Sequence, residues 1–383
     1  MDTKTKRALF QAVKKRYHAS NRQEKRMILD ELTATTGCHR KSIVRRLNAT
    51  PALAPVVSVE RRGRPSVVTD GDLAVLKRVA PAMNWACGKR MVAMLPEWLD
   101  HYEGHLGLFE PGQQDRLISL SAATLDRHLA SPRRQAGIRG RTGTRPGTWL
   151  KTQIPIRQGV WNETEPGFLE ADTVAHCGGS MSGAFVWSLT MTDIASAWTE
   201  CSAVWHKQVT GIRDQISFID TVMPFTIKGF DVDNGSEFIN HTLAKYFLEH
   251  YDDLQFTRSR PGKKNDNAHV EQKNYSHVRK LMGYKRIDNK AAVDAMNDLY
   301  QNEVSWLNNL FMVNRKLIRS ESTGSKRRRF YDDPKTPINR LQQLDAGDPN
   351  RIRDLIQRKN ALSPFELARI IDIKKKGIMD LLR

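Results

Sequence analysis

Gly167-Phe168-Leu169-Glu170-Ala171-Asp172-Thr173-Val174 sets two acids inside an apolar run. The run is short and closes toward turn residues, so it reads as a strand. Two-residue alternation puts Glu170 and Asp172 on one face. A second run, Phe230-Asp231-Val232-Asp233, reads the same way and is closed at once by Asn234-Gly235. Asp231 and Asp233 again share a face. Further on, Pro261-Gly262 makes a turn and Asn265 to Asn267 offer caps for a helix that carries Glu271. An acid thus lies within one strand, another at a strand end, and a third one turn into a helix.

A carboxylate in a central strand is costly to bury unless a cation meets it. A divalent metal removes that cost, because Mg²⁺ accepts hard oxygen ligands from a few carboxylates with waters and phosphate oxygens. Two such ions about 3.5–4 Å apart clamp the attacking and leaving oxygens of an in-line phosphoryl displacement.

The ordered set Asp172, then Asp233-Asn234-Gly235-Ser236-Glu237-Phe238, then Glu271, resembles the Asp-Asp-Glu signature of the retroviral-integrase and bacterial insertion-sequence transposase superfamily. Asp233 and Glu271 are separated by 37 residues, slightly more than the family's standard gap. The resemblance spans residues 160–285. It implies a ribonuclease-H-like α/β core in which Asp172, Asp233 and Glu271 are the catalytic and metal-holding residues. The first and fourth strands would be neighbours, bringing Asp172 and Asp233 together. Position in the motif favours Asp172 over Glu170 and Asp233 over Asp231. Glu237 is expected to be structural, Asp266 a cap, and His269 a surface residue. The implied cofactor is a pair of Mg²⁺ ions, with Mn²⁺ able to substitute because it takes the same oxygen ligands. Asn267 and Asn274, near the Glu271 face, are candidates to touch DNA.

Charge supports a polyanionic partner. The chain of 383 residues carries a formal net charge of +19. Residues 1–160 hold 29 Lys and Arg against 13 Asp and Glu, residues 161–290 hold 14 against 17, and residues 291–383 hold 18 against 12. Basic arms flanking a near-neutral, acid-bearing centre suit double-stranded DNA, bound in a salt-dependent way. A solvated basic surface is the plainer reading. No run of 18 apolar residues is present, so no membrane span is expected. The start of the chain lacks the long apolar segment of a secretory signal. Four scattered cysteines, with no Cys-x-x-Cys, argue against a zinc finger and fit a reducing cytoplasm. A bacterial, nucleoid-associated protein is expected.

Residues 21–48 read as a helix-turn-helix. Asn21 and Glu24 have the spacing of a capping box. Met27, Ile28 and Leu32 form an apolar stripe, Thr36-Gly37-Cys38 a turn, and Ile43, Val44 and Leu47 the inner face of a second helix. Arg40, Lys41, Arg45 and Arg46 are left for a DNA groove or backbone; any basic helical hairpin has the same pattern. Residues 51–68 form a basic linker whose Arg61-Arg62-Gly63-Arg64-Pro65 resembles an AT-hook, with arginines entering a narrow minor groove. Contact with phosphates alone is the alternative. Residues 69–150 read as a second helical DNA-binding domain, with Arg127 on a recognition-like helix and Arg139-Gly140-Arg141 at its end.

Strands over 184–192 and 198–205, a helix over 208–222, a strand over 225–232, a helix over 241–250, a strand over 254–258 and a helix over 266–283 complete the core. The short connections favour an antiparallel meander for the first three strands. The order is βββαβαβα. Residues 290–383 read as a basic helical C-terminal region, with Lys326, Arg327 and Arg328 in a DNA-backbone-contacting segment or a solvated basic loop. The whole is a multidomain chain: helix-turn-helix domain 1–50, linker 51–68, second helical domain 69–150, catalytic core 160–285 and C-terminal region 290–383. The resemblance implies a transposase acting on terminal inverted repeats and target DNA. It would work as an assembly of at least two subunits. A nuclease on the same fold and a DNA-binding regulator with an inert core remain open at this point.

Overall fold

The computed structural model describes residues 3–48, 68–136, 163–232, 238, 241–251, 253–258, 268–323 and 326–382. The chain divides into two compact units, Met1–Val67 and Val68–Arg383.

In the first unit, α1 (Thr3–Ala19), α2 (Arg22–Thr36) and α3 (Arg40–Asn48) close on Phe10, Tyr17, Ile28, Leu29, Leu32, Ile43 and Leu47. The capping box forms as the sequence predicts. The Asn21 side chain accepts from the amides of Gln23 and Glu24, and the Glu24 carboxylate accepts from the amide of Asn21. Gly37 ends α2 in the left-handed region at φ 64°, where a side chain would be strained. Met27 does not join the buried stripe; it is 67% exposed, and Leu29 takes the inner position because α1 packs on that side. The sequence reading lacked α1.

The second unit begins with four helices, α4 (Asp70–Ala82), α5 (Gly88–Leu99), α6 (Gln113–Ile118) and α7 (Ala122–Gln135). Thr69 and Ser121 cap α4 and α7. These helices share one hydrophobic core with the sheet that follows. Gly88 lies so close to the backbone of Ala122 that a Cβ would collide with its carbonyl.

β1 (Phe168–Ala175), β2 (Val186–Asp193) and β3 (Thr199–Trp205) make the expected antiparallel meander. The Asp193 carboxylate ties its turn, accepting from the Ser196 amide at 2.7 Å, the Ser196 hydroxyl at 2.6 Å and the Gly167 amide at 2.8 Å. α8 (Val209–Val222) buries Ile212, Ile216 and Ile219 at helical spacing and leads to β4 (Gly229–Val232). α9 (His241–His250) then leads to β5 (Gln255–Arg258). The sheet order is β3-β2-β1-β4-β5, with β4 parallel to both β1 and β5. This order is compatible with a ribonuclease-H-like core. β4 is shorter than the 225–232 expected, because β1 offers its first pairing partner only at Phe168, opposite Gly229.

α10 (Ala268–Lys273) runs without a break into a π-helical stretch, Asn274–Arg279, and α11 (Lys280–Met282). α12 (Ala291–Leu299) continues through π-helical Tyr300–Val304 and Leu307–Phe311. The C-terminal region is not wholly helical, which corrects the sequence reading. β6 (Leu317–Thr323) and β7 (Lys326–Tyr331) pair antiparallel. Two short runs separated by Gly324-Ser325 are a paired-strand signal. α13 (Pro337–Leu344), α14 (Pro349–Ala361) and α15 (Pro364–Asp380) follow. Phe365 of α15 meets Trp98 of α5 edge-on at 5.3 Å, and the Trp98 indole N–H donates to the Phe311 carbonyl at 3.4 Å. No described helix is long and apolar enough to cross a membrane.

Glu200 on β3 is buried, and its Oε1 accepts from the Trp198 indole at 2.8 Å, the Ser305 hydroxyl at 2.8 Å and the Asn309 amide at 3.2 Å. Burial pushes its carboxyl up from 4.5 to about 7, against the lowering effect of Ser305 and Trp198. The native state therefore keeps a proton that the unfolded chain releases above 4.5. Its contribution to stability is full below that value and is lost as pH rises through 7. Denaturant melts between pH 4.5 and 7 should show a downward slope worth on the order of 3 kcal/mol. Glu200→Gln should flatten it; an unchanged slope in that variant assigns it elsewhere. Gly88→Ala should cost about 2–3 kcal/mol from overpacking against α7, read as a lowered Tm.

Candidate active site

The period of β1 puts Glu170 and Asp172 on one face, and that face meets α10. Glu170 is 1% exposed, yet its charge is answered: Oε2 accepts from the backbone amides of His269 at 3.0 Å and Val270 at 3.1 Å. These amides belong to the first turn of α10 and have no partner within the helix, so the carboxylate caps it and sits at its positive end. Asp172 is half-buried. Its Oδ1 accepts from the Thr173 amide at 2.7 Å, and its Oδ2 accepts from the Asn274 side-chain amide at 2.6 Å. One helix is therefore tied to one strand at two points, and Glu271 lies between them in sequence, exposed to solvent.

Asp231 on β4 is fully buried and accepts from the Thr257 hydroxyl at 2.6 Å. It stands opposite Glu170 in the parallel register. That register runs to Ala171 opposite Val232, the residues immediately before Asp172 and Asp233. Asp233, Glu237, Asp266 and Asn267 lie outside the described residues. Among the described residues no group of three His, Cys, Asp or Glu side chains stands ready to hold a metal. The oxygen donors brought together here are Asp172 and Asn274, with Glu271 three residues before Asn274 on the same helix. The Asn274 Oδ1 is buried and finds no hydrogen-bond partner among the described residues. A hard cation beside Asp172 would satisfy both groups, so the donor chemistry fits Mg²⁺.

Lys273, next in the helix, points the other way and is buried, donating to the Ala197 carbonyl at 3.2 Å. Burial, reinforced by Arg90, brings its ammonium down from 10.5 to about 7. The π-helical turn that begins at Asn274 places one more residue in the turn than an α-helix would, a feature frequent at functional sites.

The predicted DNA contacts are scattered. In the first unit Lys41 and Arg45 are exposed, Arg40 pairs with Asp30, and the Arg46 guanidinium lies over the Phe10 ring at 5.3 Å. In the second unit Arg127 is exposed, with one weak bond to the Thr124 hydroxyl at 3.3 Å. Arg61, Arg62, Arg64, Arg139 and Arg141 lie outside the described residues, as do the side chains of Lys326 and Arg327. Arg328 is exposed on β7, its guanidinium 4.7 Å from the centre of the Phe330 ring. Sequence reasoning missed Arg319, which covers the same ring at 4.3 Å from β6. It also missed the capping role of Glu170. The signal for that role was present: an acid two residues from Asp172 with no metal role assigned to it.

Glu170→Ala should leave two helix-start amides buried and unmet, lowering stability by about 1–3 kcal/mol. Hydrogen exchange at the amides of His269 and Val270 should rise with it; unchanged protection there would contradict the capping role.

No protein-family model matches the chain. Among solved structures, the catalytic core domain of BIV integrase aligns over 47% of this chain and 95% of its own at 12% identity, with a TM-score of 0.30. Among curated proteins, the uncharacterized protein y4rM of Sinorhizobium fredii is 35% identical over 340 residues, covering 88% of this chain and 95% of that protein. With that identity over nearly the full length of both, the chain belongs to the family of the uncharacterized protein y4rM.

Proposed function

We propose that this protein is a DNA transposase of the Asp-Asp-Glu type, which binds element ends, cleaves them to expose 3′-hydroxyls and joins them to target DNA. One observation carries the reading. Asp172, on the central strand, is hydrogen-bonded to Asn274 of the helix that bears Glu271, and β1 pairs with β4 up to the residue before Asp233. Asp172 and Glu271, far apart in sequence, thus belong to a strand and to a helix tied to it, and the neighbouring strand ends one residue before Asp233 in sequence.

Asp172, Asp233 and Glu271 are the residues that would hold two Mg²⁺ ions. When bound, such ions supply Lewis acidity at the attacking and leaving oxygens of a phosphodiester. The chain's own part is positioning. The Thr173 and Asn274 amides fix both Asp172 oxygens, and Glu170 anchors the helix start so that Glu271 projects from a constrained turn. Exposure of Glu271 and half-exposure of Asp172 leave this face accessible to a large substrate.

The basic surplus of residues 1–160 and 291–383 suits the phosphates of duplex DNA, both element ends and target. Two ends must be joined in one event, so a homo-oligomer on DNA is part of the proposal, in a bacterial cytoplasm at the nucleoid. The test uses duplexes carrying whatever imperfect inverted repeats flank the gene. Wild-type protein should cleave and join them in Mg²⁺ or Mn²⁺. Glu271→Gln should bind the ends with unchanged affinity and fall to the uncatalysed background in joining; joining retained by that variant removes the assignment.

A further inference from the structure

Beside the π-helical stretch that follows Glu271 lies a cavity of about 700 Å³, bounded by α4, that stretch with α11, the end of the α12 helix, and α15. That volume falls in the range of about 300–1,000 Å³ usual for small-ligand sites. We propose that it receives a single unstacked nucleotide of a DNA strand, a proposal that rests on the polynucleotide reading above.

Phe365, packed against Trp98, and two further aromatic rings, Trp85 and Tyr275, line it. Neither Trp85 nor Tyr275 stacks on another ring among the described residues, and Tyr275 is 49% exposed. The Lys280 ammonium stands 5.8 Å from the Tyr275 ring. Cations outnumber acids in the lining: Arg78, Arg133, Lys280, Arg369 and Lys375 stand against a single acid, Asp372, with Arg133 paired to Asp126 and Arg369 to Glu366. The Arg133 Nε is buried with no hydrogen-bond partner among the described residues, although Nη1 reaches Asp126 at 3.0 Å and Nη2 the Ala86 carbonyl at 2.7 Å. Open aromatic faces beside cationic groups are what a base and its phosphate require together.

The backbone is shaped to present the indole. Asn84 and Trp85 both lie in the left-handed region, at φ 50° and 51°. For a bulky residue this is strained, and such strain persists only where neighbours enforce it. The Trp85 amide donates to the Ala80 carbonyl at 2.9 Å, closing the end of α4, and two further bonds come from the helix across the cavity. Asn84 Nδ2 donates to the Ser276 carbonyl at 3.1 Å, and the Lys280 ammonium donates to the Asn84 carbonyl at 2.9 Å. Tyr275 follows Glu271 by four residues, about 6 Å along the helix axis. A strand crossing the acidic face would meet Tyr275 next, and one base turned out of its stack could enter between Tyr275 and Trp85.

The test compares binding of a short oligothymidylate with that of an abasic strand of equal length, using the full chain. Wild-type protein should prefer the base-bearing strand by roughly five- to a hundredfold, the worth of one stacked base. Tyr275→Ala and Trp85→Leu should bring the two affinities together while leaving that for the abasic strand unchanged, and Trp85→Phe should keep the preference. Tyr275 is half-exposed, so its truncation keeps the test valid if Trp85→Leu unfolds by circular dichroism. A preference that survives both truncations, or equal binding of the two strands by wild-type protein, overturns the nucleotide site and leaves the polynucleotide reading standing. Failure to bind either strand or any duplex overturns both.

Discussion

The double tie between β1 and the helix beginning at Ala268 is the constraint on which the rest depends. A strand at the centre of a sheet has both edges paired, so a carboxylate buried on it must find donors inside the fold. Glu170 finds them in the two unmet amides at a helix start, and Asp172 finds one in the Asn274 side chain. Each bond solves two burial problems at once: the acid loses an unpaired charge and the helix loses orphaned groups. The same bonds set where Glu271 emerges.

That arrangement needs a rigid background, and the second unit provides it through one core rather than several. The α4–α7 helices were expected from sequence as a separate DNA-binding domain. They pack through Trp98, Leu95 and Leu99 into a core that also takes Phe311 and Phe365. Arg90 of α5 donates to the Val313 carbonyl at 2.6 Å, and Lys280 reaches back to Asn84. Helices before the sheet therefore grip both the helix that bears Glu271 and the long helix that follows. The π-helical stretches fall where these grips occur. An irregular turn lets Ser276 and Lys280 face α4 while Asn274 faces β1.

Much of this was legible in residue order. The alternation of Glu170 and Asp172 and the helix start before Glu271 marked their elements well, the short connections gave the meander, and the β1–β4 pairing is the one that the family resemblance implied. Boundaries slipped where pairing rather than propensity decides: residues 225–228 have strand composition but lie before the first partner on β1. Met27 looked apolar enough for the core, but α1 covers the opposite side of α2. The β6–β7 pair was hidden behind its arginines, whose charge read as a loop although Arg319 and Arg328 spread over Phe330.

The chain's order of residues determined which elements form and which acids they carry, because period, capping and turn chemistry act over a few neighbouring positions. It favoured Asp172 over Glu170 only through the resemblance to the Asp-Asp-Glu pattern, and it gave no sign that either acid would cap a helix. Glu170 and Asp172 have the same face, the same charge and nearly the same surroundings in sequence. Packing shows what each of them touches. The helix start lies against residue 170 and its amides claim that carboxylate, while residue 172, one step further along the strand, meets a side-chain amide and remains half-exposed.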